Sequence, residues 1–292
     1  MERLRVVVIV SKDESDIFFA NRLLQSVNVI AVIVENQHDD RPFLSKLASH
    51  LVRPHVLVTK LYNRILYERD KKYAEFYLPE NACNFGGQGD QVNAPDGTAL
   101  LYTTGANRIN DKEYIERLQE LQPDVVAVCG SSLLQEEILS VPKLGSLNLH
   151  GGLSQRYRGL YTTDWAVFNQ EPECVGATVH YIAGGIDDGD ILYQGRPQID
   201  IEDTPHSLYE KVVKFGVCMM IQAIEDLEAG TSRSEPLSKL GDLYLGKSYT
   251  NKVRSQTWKT LRGGVLERYL KEKEQRDEPV LASMQCKHPD SH

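Results

Sequence analysis

The chain has 292 residues, 41% of them hydrophobic and 25% charged, with a formal net charge of −8. That length accommodates one large domain with an appendage, or two modest domains, in an ordinary globular composition. The acidic balance argues against a general nucleic-acid binder, because phosphate contacts require a positive surface. No run approaches the roughly 18 consecutive apolar residues of a membrane span.

Residues 5–10 form a short β-branched run that reads as a central parallel strand. Residues 16–26 place Ile17, Phe18, Ala20, Leu23 and Leu24 at helical spacing, and residues 28–35 read as a second strand. This β-α-β opening predicts an α/β fold: a doubly wound, mostly parallel, Rossmann-like sheet with right-handed crossovers. The first turn, 11–15, contains no glycine and so lacks the G-x-G-x-x-G loop that seats a pyrophosphate on a helix N-terminus. The opening apolar run is too short for a signal segment. The five cysteines have neither zinc nor redox spacing. A cytoplasmic, reducing setting is therefore expected, with no metal site and with Cys129 and Cys218 as small core residues.

Residues 37–41 read as a polar linker and 42–71 as mostly helical, broken near Pro54. Residues 79–98, around Gly86-Gly87-Gln88-Gly89, read as an irregular loop. Asn110 or Asp111 caps a helix carrying Tyr114, Ile115, Leu118 and Leu121. Pro123 introduces a third strand at 124–129, followed by a short helix at 135–139 and a strand at 145–149. A helix is expected at 163–168, with strands at 177–182 and 191–193. Thr204 as N-cap and Pro205 at the first helical position open a long helix to about residue 229, closed by Gly230. Beyond it, 231–246 reads as loop. Residues 247–276 are rich in Lys and Arg, with a helix from 264 onward (Val265, Leu266, Tyr269, Leu270), and the last dozen residues are expected to fray. Residues 1–230 thus form the principal domain, and 231–292 a short, partly helical C-terminal extension.

The richest chemistry lies in Gly145-Ser146-Leu147-Asn148-Leu149-His150-Gly151-Gly152, continuing to Tyr157-Arg158-Gly159, and in Gly185-Ile186-Asp187-Asp188-Gly189-Asp190. Asn148 and His150 stand two apart, so on an extended backbone both side chains share a face. The glycines after them allow a substrate to approach the backbone. An amide, an imidazole and a carboxylate can together hold a carbonyl oxygen and move a proton. His180, within a strand, reads as structural.

The order of these motifs, with Pro123-Asp124-Val125-Val126 before them, Gly176-Ala177-Thr178-Val179-His180 between them and Asp203-Thr204 after them, resembles the 10-formyltetrahydrofolate-dependent formyltransferases. That family includes glycinamide ribonucleotide transformylases, methionyl-tRNA formyltransferases and sugar N-formyltransferases. The resemblance is strong over residues 100–230 and limited to the β-α-β pattern before that. It implies Asn148, His150 and Asp187 as the catalytic set. It implies 10-formyltetrahydrofolate as co-substrate, lying against Gly130, Ser131, Leu133 and Leu134, against Gly151 and Gly152, and near Asp190. Family members commonly read Ser-Leu-Leu-Pro after the histidine and its neighbour, whereas this chain reads Gly152-Leu153-Ser154-Gln155. Formyl transfer passes through a tetrahedral oxyanion. Asn148 and protonated His150 are placed to donate to it, and Asp187 to accept the proton of the incoming amine directly or through water.

The expected acceptor is a small primary amine, an amino sugar on a nucleotide carrier, chosen by elimination. Charged tRNA is disfavoured by the acidic charge and the short tail, and a hydroxyornithine-type amine stays open, as does a homodimer. Tyr157, Tyr161 and Trp165 are candidates to stack on an acceptor ring, with core packing as the other reading. Lys247, Lys252, Arg254, Lys259 and Arg262 either meet a diphosphate or solvate the surface. A formyl-folate hydrolase or a folate-binding module without turnover is the alternative of another class.

Overall fold

The structure, a computed structural model, describes residues 3–36 and 85–292. The linker expected at 37–41, the helix expected at 42–71, Cys83 and the first part of the loop at 79–98 lie outside the described residues.

The sheet grows from β-branched runs that are buried on both faces. Strand β1 (Val6–Val10) and strand β4 (Val125–Cys129) are buried along their whole length at its centre. Strand β2 (Val29–Val34) and the short β3 (Ala99–Tyr102) extend it on one side. Strands β5 (Ser146–His150), β7 (Ala177–Tyr181) and β8 (Ile191–Gly195) extend it on the other. The order is β3-β2-β1-β4-β5-β7-β8. The first five run parallel, and β7 and β8 are antiparallel to their neighbours. Continuous Val/Ile runs are the expected signature of parallel strands covered on both faces.

The two faces of β1 separate by alternation. Val6, Val8 and Val10 join α1 (Glu14–Ser26) and the long helix that follows Thr204 in one core, while Val7 and Ile9 join Tyr114 and Leu118 of α2 (Lys112–Leu121) in another. Helices on both faces make the fold doubly wound. Two short helices, α3 (Glu136–Leu139) and α4 (Thr162–Phe168), follow β4 and β6 (Tyr157–Gly159). Helix α5 (Pro205–Ala229) begins where Thr204 and Ser207 bond reciprocally and ends at Gly230, whose φ of 68° suits glycine. Cys129 is buried as expected, but Cys218 is exposed on the solvent side of α5, a correction to its expected burial.

After Gly230 the chain makes β9 (Asp242–Tyr244), α6 (Asn251–Arg262), α7 (Val265–Lys271) and α8 (Lys273–Ser283). Strand β9 pairs with β6, so the expected loop at 231–246 carries a strand. Val265, Leu266, Tyr269, Val280 and Met284 enter the same core as α1 and α5. Buried Arg196 pairs with Asp277 at 2.7 Å and with the Tyr269 hydroxyl at 2.7 Å. The last residues, expected to fray, instead run beside β8. Gln194 N donates to Cys286 O at 3.1 Å, His288 N to Gln194 O at 2.8 Å and His292 N to Arg196 O at 3.1 Å. The exposed edge of a sheet supplies the partners that an isolated tail lacks.

Candidate active site

Strand β5 carries Asn148 in its middle and His150 at its carboxyl end, the end of an open parallel sheet where ligands bind. Both side chains fall on one face, as their spacing requires. Strand β7 lies antiparallel beside it, with His180 opposite Asn148 and Thr178 opposite His150. Asp187 stands on the loop from β7 to β8 with φ of 50°, a left-handed conformation that aspartate tolerates better than most residues. The loop is tied down by Arg158, whose guanidinium donates to Ile186 O at 2.9 Å and to Gly241 O at 3.0 Å.

Asn148, His150 and Asp187, separated in sequence, meet here. Asp187 Oδ2 accepts from the Gly159 amide at 2.8 Å and lies 3.3 Å from His150 Nδ1. Asp187 Oδ1 accepts from Asn148 Nδ2 at 3.3 Å and lies 3.5 Å from His180 Nε2. Burial alone would raise this carboxyl. The charge of His150, the bond and charge of His180 and the Gly159 amide outweigh it and hold Asp187 far below the usual carboxylate range.

The ring nitrogens of both histidines have partners. His150 Nε2 donates to Tyr157 O at 2.8 Å, because a carbonyl only accepts. With Asp187 facing Nδ1, the buried ring meets oxygen on both sides, which suits the imidazolium. His180 Nδ1 donates to Tyr181 O at 2.8 Å, and its Nε2 stands 3.2 Å from Asn148 Nδ2 and 3.5 Å from Asp187 Oδ1. The site thus sets two imidazoles and an amide against a single carboxylate. His180, expected to be structural, belongs to this cluster. Its sequence signal was the alternation Thr178, His180 on an otherwise apolar strand, which acquires meaning only beside Asn148 and His150.

The expected folate-facing residues line up along the strand ends. Gly130 follows β4 with φ of 70°, and a Cβ there would lie 1.8 Å from Asp16 Oδ2, so a side chain at this turn would have to displace the Asp16 carboxyl. Beneath it, burial raises the Asp16 carboxyl to about 6, partly offset by the Ser11 hydroxyl and increased by Asp13. Ser131 bonds Ser132 O, and Ser132 is held by Glu35 through its amide at 2.7 Å and its hydroxyl at 2.8 Å. Leu133 is 70% exposed and Leu134 half-buried. Gly151 O accepts from the Thr162 hydroxyl, Gly152 is buried, and the Asp190 side chain is exposed. An apolar side chain standing in solvent beside a glycine turn fits a flat heterocycle on that loop.

The aromatic expectations divide. Tyr157 is buried with its hydroxyl on Glu171, and Trp165 is buried with its ring 4.6 Å from Tyr244. Both are packing residues, which corrects their candidacy as stacking faces. Tyr161 is 49% exposed and stacks on Tyr249 at 4.1 Å, with Arg254 5.8 Å over the Tyr249 ring. Lys247, Lys252, Lys259 and Arg262 are exposed. Among the described residues no helix is long and apolar enough to cross a membrane.

The formyl transferase family model matches residues 4–224. A methionyl-tRNA formyltransferase from Methylacidiphilum infernorum is 34% identical over 156 residues, covering 52% of this chain and 48% of the relative. One from Clostridioides difficile is 33% identical over 129 residues, covering 44% of this chain and 41% of the relative. The matches thus span about half the length of these curated relatives or less. Among solved structures, a sugar N-formyltransferase from a Shewanella species aligns with a TM-score of 0.53 and 16% identity, covering 88% of this chain and 87% of that one. A 4-N formyltransferase from Francisella tularensis aligns with a TM-score of 0.52 and 16% identity, covering 85% and 79%. At such identities the structural likeness is one of fold.

Proposed function

The chain belongs to the formyl transferase family, and on that premise we propose that it moves a formyl group from 10-formyltetrahydrofolate to a primary amine. The observation that carries this reading is the convergence of Asn148, His150, His180 and Asp187 at the end of β5. The imidazolium of His150 supplies positive charge where the formyl oxygen becomes an oxyanion. Asn148 Nδ2 donates to the same oxygen by releasing one of its two long contacts, which tighten or redirect when substrate binds. The co-substrate occupies the Gly130–Leu134 loop and the Gly151–Gly152 turn.

Asp187 serves less as a base than the residue types suggest. A carboxylate held so strongly in its charged form is a weak proton acceptor, and its oxygens already face four partners. The overall reaction needs no net base, because the proton lost by the amine ends on the departing tetrahydrofolate nitrogen. Asp187 therefore orients His150 and balances its charge while the proton is relayed.

For the acceptor we propose an amino sugar on a nucleotide carrier. The exposed Tyr161 ring, two residues from the Gly159 amide that binds Asp187, offers a face for a base or sugar. Arg254 beside Tyr249 offers charge for a diphosphate. The net charge of −8 disfavours a long phosphate backbone. Methionyl-tRNA is the second reading, favoured by the names of the relatives at 33–34% identity. Incubating the protein and 10-formyltetrahydrofolate with nucleotide-linked amino sugars and, separately, with methionyl-tRNA separates the two. Release of tetrahydrofolate with the sugars supports the first, and salt-sensitive formylation of tRNA alone replaces it with the second.

A further inference from the structure

The segment after His150 departs from the family's common sequence at Gln155, and the structure gives that glutamine a partner. Gln155 and Gln194, 4% and 0% exposed, face each other as a reciprocal amide pair. Gln155 Nε2 donates to Gln194 Oε1 at 2.8 Å, and Gln194 Nε2 returns a bond to Gln155 Oε1 at 2.6 Å. Gln285, from the segment beside β8, closes the group. Its amide N donates to Gln194 Oε1 at 2.8 Å, and its side-chain oxygen accepts from Gln155 Nε2 at 3.1 Å.

The group continues to the imidazole. Gln194 Nε2 also donates to Thr178 Oγ1 at 3.0 Å, and Thr178 Oγ1 donates to Gly152 O at 2.7 Å and accepts from Ser154 N at 3.3 Å. Residues 152–155 are thereby pinned to β7. The turn they begin delivers Tyr157, whose amide bonds back to Leu153 O at 2.8 Å and whose carbonyl receives His150 Nε2. There is little slack, since a Cβ on Gly152 would stand 2.6 Å from His150 Nε2 and 2.8 Å from Tyr157 O. Buried polar networks whose members are satisfied rigidify what they hold.

We propose that Gln155, Gln194 and Gln285 are positioning residues for His150, through which segment 284–292 sets the place of the Tyr157 carbonyl that orients the imidazole. The proposal rests on the formyl-transfer reading for its rate consequence and on geometry alone for its structural one. It accounts for a glutamine at a position where the family commonly has proline: the turn is stiffened by a tertiary amide pair instead of a ring.

The test is Gln285→Ala beside Gln285→Met. Half-buried Gln285 touches no part of the catalytic cluster. Gln285→Met keeps the length of the side chain but neither the oxygen that accepts from Gln155 Nε2 nor the amide that donates to Pro236 O at 2.8 Å and Glu235 Oε2 at 3.3 Å. Misplacing a catalytic group by about 1 Å costs roughly 10²-fold. Both variants are therefore expected to lower kcat about 10–100-fold with KM for both substrates nearly unchanged. The imidazole N–H signal of His150 in proton NMR, identified by its loss in His150→Ala, should move in both. An unmoved signal with unchanged kcat overturns the proposal, even if the melting temperature falls, and so does full activity with an unmoved signal in Gln285→Met. If the wild-type protein transfers no formyl group to any acceptor, the reaction reading fails. The imidazole signal then decides the positioning role by itself, an unmoved signal rejecting it.

Discussion

Asp16 is a buried carboxylate and Asp187 a largely covered one, both beside the ends of parallel strands, and they are shifted in opposite directions. Burial pushes both upward. At Asp187, His150, His180 and the Gly159 amide overturn that push, and the group stays ionised far below its ordinary range. At Asp16 the Ser11 and Ser15 hydroxyls recover only part of it while Asp13 adds to it, so the group titrates near 6. Depth of burial does not decide the charge of a carboxylate; the nature of its partners does. One region holds an ion pair at the end of β5, and the other buries an acid that titrates near 6 under the Gly130 turn.

The largest expected effect removes the ion pair. His150→Ala and Asp187→Asn should each lower turnover about 10²–10⁴-fold, the usual cost of losing such a group, with the circular dichroism spectrum intact. Asn also tolerates φ of 50°, so Asp187→Asn isolates charge from backbone. Near-normal turnover in that variant would remove Asp187 from the site.

Asp16→Asn tests the opposite shift. Between about 3.8 and 6 the folded Asp16 keeps its proton while the unfolded one loses it. The folded state then binds more protons, and stability falls as pH rises through that window. The shift corresponds to about 3 kcal/mol at roughly 1.36 kcal/mol per pH unit. Urea denaturation from pH 4 to 7 should show that slope in the wild type and lose it in Asp16→Asn. A slope that persists would assign the titration to another group.

A smaller loss is expected of Gly130→Ala. A left-handed φ with a Cβ costs roughly 1–2 kcal/mol, and the added carbon meets the Asp16 carboxyl directly. Urea midpoints at pH 5 and pH 7 check it; an unchanged midpoint would mean that the turn relaxes away from Asp16. Smallest is Ser11→Ala, which removes a 2.6 Å bond to Asp16 Oδ2. It should cost about 0.5–1.5 kcal/mol and extend the pH slope above 6. A slope moved downward would contradict the assigned direction of that bond's effect.

The central strands were legible because a strand buried on both faces must be apolar throughout, as Val6–Val10 and Val125–Cys129 are. Helix α5 was legible to its ends because its signals, Thr204, Pro205 and Gly230, are local. Strands β3, β6 and β9 were not, since three or four residues carry no period. The pairing of β6 with β9 joins segments more than eighty residues apart. That Asn148, His150 and Asp187 come together was legible through motif order. His180 was not, because its meaning comes from standing opposite Asn148 in the sheet. Tyr157 and Trp165 show the converse: an aromatic near a motif is a stacking face only if the fold leaves it uncovered.

By itself, the sequence determined what local rules can reach: the buried strands, the caps, the spacing that puts Asn148 and His150 on one face, and the reaction class those motifs resemble. Tertiary structure decided the rest. It chose the charged state of each carboxylate and turned a tail expected to fray into a covered sheet edge. It also brought Gln285 within 3.1 Å of Gln155 from 130 residues away. Local signals come from backbone conformation and side-chain period, which a short stretch of chain contains. Charge states and buried hydrogen-bond networks depend on which distant groups are excluded from water together, and that exists only once the chain has folded.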